Sequence, residues 1–86
     1  MVKVEETYYK IGEVNLNVVK DVQAFVNFVS KFSDEYYLIS DRYVINAKSI
    51  MGIYSLDLSK PILLVSLKEN NEEFLKEFKT KNFIKE

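Results

Sequence analysis

The chain of 86 residues contains no cysteine and no histidine. Without Cys there is no disulfide, no thiolate nucleophile and no Cys-ligated zinc or iron–sulfur cluster. Its absence also fits a reducing compartment. Without His there is no imidazole base, no phosphohistidine and no His-ligated metal. Arginine occurs once, at Arg42, and 12 Lys+Arg against 13 Asp+Glu leave a net charge of −1. That balance gives no electrostatic footprint for nucleic acid. The longest uninterrupted apolar run, Ile62 to Val65, is four residues, far short of the ~20 needed to span a bilayer. The opening Met1-Val2-Lys3-Val4-Glu5-Glu6 reaches two acids before any apolar segment, unlike a signal peptide. Only two Gly and one Pro accompany a hydrophobic content of 48%, which argues for a packed globule rather than disorder. The expectation is a soluble, cytoplasmic, single domain over residues 1–86. At 10.1 kDa it is too small to enclose a deep active site.

What is present is patterned. Residues 7–16 mix Tyr8, Tyr9, Ile11, Val14 and Leu16 with polar neighbours and read as a strand bent or bulged at Gly12. Val18, Val22, Phe25, Val26, Val29 and Phe32 lie on one helical face, so 18–32 reads as an amphipathic helix, with Asn15 or Asn17 as its cap. Glu35–Ser40 and Tyr43–Ala47 are β-branched and aromatic runs separated by Asp41-Arg42, the spacing of a tight hairpin without its usual glycine. Lys48–Leu56 reads as a short helix with Ser49 at its N-cap. Pro61 opens the strand Ile62–Leu67, since proline is tolerated at a strand's first residue. Asn70-Asn71-Glu72-Glu73 caps a last helix with the stripe Phe74, Leu75 and Phe78, ending near Asn82. The order β-α-β-β-α-β-α predicts an α+β layer, a four-stranded antiparallel sheet with three helices on one face.

Few residues suggest chemistry. Glu69, Glu72, Glu73 and Glu77 read as a solvated helix face rather than metal ligands, because Glu73–Glu77 and Glu72–Lys76 are i,i+4 neighbours. No Gly-rich phosphate loop and no nucleophile–base constellation is visible, so neither enzyme activity nor a cofactor or metal is expected. Tyr37 and Tyr43 on a sheet suggest base stacking, but the acidic balance favours packing roles. Alternation along the strands raises another issue. If the helices cover the face bearing Leu38, Ile45, Leu63 and Val65, then Tyr37, Ile39, Val44, Ile62 and Leu64 face outward. A one-sided antiparallel sheet normally has a polar outer face, so such a surface is a candidate homodimer face.

The segment Asn46-Ala47-Lys48-Ser49-Ile50-Met51-Gly52-Ile53-Tyr54-Ser55-Leu56 is the most specific feature of the chain. It resembles the regulatory-serine segment of HPr, the phosphocarrier family of the bacterial sugar phosphotransferase system, in the form found in low-GC Gram-positive bacteria. The likeness extends over nearly the whole chain and implies the HPr-like open-faced β-sandwich. The family's phosphocarrier histidine would fall at Val18, with Lys20 at the following arginine and Asp21 at the proline. Keeping Leu16 as the buried leucine places Asn17 there instead. Neither residue can carry a phosphoramidate, so the resemblance leaves a degenerate phosphocarrier site at Asn17, Val18 and Lys20. Ser49 is retained. In the family an ATP-dependent HPr kinase/phosphorylase phosphorylates this serine, and the phosphoprotein assists a LacI-type transcription regulator in carbon catabolite repression. Lys48, Ile50, Met51 and Tyr54 would flank that contact. The segment is similar to the catabolite-repression branch of the family, which has the serine but no histidine. The plain alternative for Ser49 is an N-cap that contributes about 1 kcal/mol and signals nothing.

Overall fold

The computed structural model describes residues 2–3, 8–68 and 72–80. Their elements are β1 (Val2–Lys3), β2 (Tyr9–Val14), α1 (Val19–Val29), β3 (Tyr36–Ser40), β4 (Tyr43–Asn46), α2 (Ile50–Tyr54), β5 (Ile62–Ser66) and α3 (Glu72–Phe78). After β1 the order is the expected β-α-β-β-α-β-α, and the fold is α+β. The sheet order is β1-β2-β5-β3-β4 with every pair antiparallel. The two-residue β1 adds an edge that hydrophobic pattern could not reveal, because alternation needs about four residues to register. The last helix ends at Phe78, short of the end expected near Asn82, and the backbone tightens after it, where Thr80 N–H reaches back only three residues to the Glu77 carbonyl. The Asn70-Asn71 cap and Glu69 lie outside the described residues.

The register of β2 on β5 shifts between Lys10 and Gly12, so the irregularity falls at the predicted bend. A β-carbon at Gly12 would come within 3.3 Å of the Phe78 ring, and the glycine leaves room for α3 to settle on the sheet. The hairpin between β3 and β4 turns through Asp41, whose φ is 53°. Aspartate tolerates the left-handed region better than most side chains, which is how this turn dispenses with glycine.

Helix α1 is shorter than the apolar stripe that predicts it. It ends at Val29, and beyond it Lys31 N–H and Phe32 N–H reach back only three residues, to the Phe28 and Val29 carbonyls. The backbone has tightened while Phe32 still packs edge-on against Phe28, with ring centroids 5.6 Å apart. Its start also differs from expectation. Val18, extended at φ −121° and ψ 133°, is the N-cap, and no side chain caps the helix. Neither Asn15 nor Asn17 fills that role, because the β-branched Val18 supplies the extended link and accepts from Asp21 and Val22 through its carbonyl.

The core lies between the helices and one sheet face. Val22, Phe25, Phe28 and Val29 of α1, Ile53 of α2, and Phe74 and Phe78 of α3 meet Val14, Tyr36, Leu38, Ile62 and Leu64 of the sheet. Here the structure corrects the facing of β5. Leu38 pairs with Leu64 and with Ile45, so Leu64 shares the covered face, and Ile62 lies opposite Val14 on the same side. Ile62 and Leu64 are 1% and 0% exposed. They do not face outward; Leu63 and Val65 do, beside Ile39 and Tyr37. A one-residue slip reverses every side chain of a strand, and an all-apolar run offers no polar position to fix the phase.

Candidate regulatory site

The β3–β4 ladder continues for one more hydrogen bond, from Ala47 N–H to the Tyr36 carbonyl (2.9 Å). That bond fixes the backbone just ahead of α2. The side chain of Asn46 then accepts from Lys48 N–H (2.8 Å), and its carbonyl accepts from Ser49 N–H (3.0 Å). This is the local turn that asparagine favours. Ser49 follows in an extended conformation, φ −98° and ψ 100°, and its hydroxyl oxygen accepts from Gly52 N–H (3.2 Å). Its carbonyl takes the first helical bond, from Ile53 N–H (3.0 Å). Ser49 is therefore a helix N-cap in full geometry, with an exposed side chain.

Gly52 is part of this arrangement, although the sequence alone gave it no role. A β-carbon there would stand 2.7 Å from the Ile45 Cγ2 methyl and 3.1 Å from Ser49 Oγ. Ile45 is β-branched on a strand, so that methyl cannot swing away freely. Overpacking of this kind costs about 1–3 kcal/mol, against about 1 kcal/mol gained from alanine's better helix propensity. Gly52→Ala is expected to lower the urea midpoint by the equivalent of about 1 kcal/mol. A rise in the midpoint would show that Ile45 yields.

The residues expected around Ser49 divide into two groups. Met51 is 77% exposed and Tyr54 40%, so both offer apolar surface beside the serine. Ile50 is half-buried and packs against the core. Lys48 is also half-buried, and its ammonium donates to the Phe32 carbonyl (2.6 Å) just past α1. This tie between two loops sixteen residues apart in sequence escaped the sequence reading, because a long flexible side chain carries no periodic signal.

Through Lys48, Ser49 lies beside the C-terminal end of α1. Asn17, Val18 and Lys20, the positions that the resemblance assigns to the phosphocarrier site, are exposed at the other end. The eleven residues of α1 separate them by about 16 Å along its axis. Val18 and its neighbour Val19 are 49% and 61% exposed. Among the described residues no group of three or more acids is placed to hold a metal, and no helix is long and apolar enough to cross a membrane.

On the outer sheet face, Tyr37 and Ile39 are half-buried and Val44 is exposed. Tyr37 meets Tyr8 edge-on at 5.7 Å. Its phenol donates to the Glu35 carboxylate (3.0 Å), a bond that raises the phenol above its ordinary pKa. In the loop after α2, the hydroxyl and backbone N–H of Ser59 both donate to Asp57 and hold that carboxyl below its usual value.

No family model matches the chain, and no curated protein matches it. Among solved structures it is similar to one described as the crystal structure of HPr-C-His from Thermoanaerobacter tengcongensis. The two share 30% sequence identity over 90% of this chain and 89% of that one, with a TM-score of 0.64. Agreement in sequence and backbone over nearly the full length of both chains means that this chain belongs to the HPr-like family.

Proposed function

We propose that this protein is a non-catalytic HPr-like regulator of carbon catabolite control, switched by phosphorylation of Ser49 and not competent for histidine phosphorelay. The observation that carries this is Ser49 itself: an exposed N-cap hydroxyl beside the exposed apolar side chains Met51 and Tyr54, in a chain with no histidine. The modifying enzyme would be an HPr kinase/phosphorylase. The Ser49 Oγ–P bond forms as the bond from the γ-phosphorus to the bridging oxygen of ATP breaks. ADP leaves, and the hydroxyl proton passes to a base on the kinase. The product would carry roughly −1.5 to −2 charge. An Arg or Lys of a LacI-type transcription regulator would pair with it, while Met51 and Tyr54 supply apolar contact.

Incubation with ATP, Mg²⁺ and an HPr kinase/phosphorylase from a low-GC Gram-positive bacterium, followed by intact mass measurement, tests the switch. One added phosphoryl group is expected, and Ser49→Ala should abolish it. That variant loses only the cap, about 1 kcal/mol, so it should remain folded. An unmodified wild-type chain would overturn the proposal.

A second reading, in which Ser49 is only a cap, makes the protein an interaction or dimerisation module. The observation favouring it is that the half-buried Tyr37, Ile39 and Leu63 and the exposed Val44 leave apolar surface on the outer sheet face, where a one-sided sheet is normally polar. Light scattering at micromolar concentration should then give twice the 10.1 kDa chain mass. A clean monomer would exclude self-association.

A further inference from the structure

Lys48 stands between Ser49 and the segment leaving α1. Its ammonium donates to the Phe32 carbonyl (2.6 Å), directly after the turns in which Lys31 N–H and Phe32 N–H bond the Phe28 and Val29 carbonyls (both 3.2 Å). A helix's carbonyl end carries partial negative charge, so a cation is favourable there. The backbone of Lys48 and Ser49 is held separately, by the two hydrogen bonds to Asn46. The anchor is therefore fixed, while the four-carbon stem retains its rotatable bonds.

We propose that Lys48 couples phosphorylation of Ser49 to the end of α1, its ammonium exchanging the Phe32 carbonyl for the phosphate on the neighbouring residue. The coupling presupposes the Ser49 switch proposed above. A phosphate of roughly −1.5 to −2 charge attracts an ammonium more strongly than a neutral carbonyl does, and a lysine stem reaches the side chain of the next residue. On exchange, the Ser30–Phe32 turns lose their tie to the start of α2. The Phe32 ring packs edge-on against Phe28 and Phe74, at 5.6 and 5.1 Å. It also lines an open groove of about 240 Å³ with Lys31, Glu73 and Glu77. Loosening at Phe32 would thus reach the α1–α3 surface as well as α2.

The test uses the full chain with phosphoserine installed at position 49 during synthesis, so no kinase takes part. Amide hydrogen exchange at Lys31 and Phe32 is expected to quicken by about tenfold on phosphorylation, as it would after loss of one charge-assisted hydrogen bond. Unmodified Lys48→Met should show the same acceleration, and phosphorylation of that variant should add nothing. The phosphate, followed by ³¹P resonance, should lose its second proton at lower pH with Lys48 present than in K48M. Unchanged exchange in the phosphorylated wild-type chain, or a phosphate titration indifferent to Lys48, would overturn the coupling. A kinase that fails to modify Ser49 would overturn the switch and leave this result standing.

Discussion

Phe74→Ala is expected to destabilise the protein by about 3–5 kcal/mol, the range for removing a large buried aromatic side chain. Phe74 is fully buried and stacks on Tyr36 with ring centroids 4.2 Å apart and planes 15° apart. Its ring lies 4.8 Å from Phe28, 5.1 Å from Phe32 and 6.0 Å from Phe78. Such contacts contribute beyond area burial, by roughly 0.5–1.5 kcal/mol for each well-oriented pair. The α3 segment of seven residues is too short to persist by its own hydrogen bonds. What holds it is this aromatic cluster together with Phe78, which lies against Gly12. The ion pair between Lys31 and Glu77 (3.2 Å) adds little, because both side chains are about half exposed. Urea unfolding followed by circular dichroism is the measurement. Against a total stability of about 5–15 kcal/mol for a typical domain, the variant should be marginal at room temperature, and Phe74→Leu should recover part of the loss. A shift equivalent to less than 1 kcal/mol for the alanine would contradict the packing.

Much of this fold is legible from residue pattern. The spacing of Val22, Phe25 and Val29 predicts α1 because a helix needs its apolar residues on one stripe, and those residues are buried. Phe28 is not among the residues of that predicted stripe, yet it lies on the same side three positions after Phe25 and is only 3% exposed. Ser49 is legible as a cap because its role is local: the hydroxyl needs only the N–H three residues ahead. Two site features stay invisible for the opposite reason. Lys48 acts on a carbonyl distant in sequence. Gly52 matters through the approach of Ile45 from another element, although a glycine inside a helical pattern is itself a hint of close packing. Composition shows only that the chain has no histidine; which positions would correspond to a phosphocarrier site comes from the family resemblance and not from residue pattern.

Strand β5 shows where pattern fails and gives the second large effect. Ile62-Leu63-Leu64-Val65 is apolar at every position, so alternation fits either face, and only pairing to β3 and β2 decides. Leu64 sits opposite Leu38 on one side and Gly12 on the other, beneath the helices and out of contact with solvent. Leu64→Ala is therefore expected to cost about 2–5 kcal/mol through lost burial and the cavity left behind. Leu63 pairs with Ile39 on the outer face and is half-buried, so Leu63→Ala should cost about 1 kcal/mol or less by the smaller apolar area it covers. Urea midpoints of the two variants, measured side by side, separate the faces. Equal losses, or a larger loss at Leu63, would mean that the strand presents its other side to the helices. Val65 sharpens the comparison, because it faces outward beside Tyr37 yet is fully buried. The outer face is closed at its centre, and the apolar surface it leaves open is concentrated at Val44, near the hairpin.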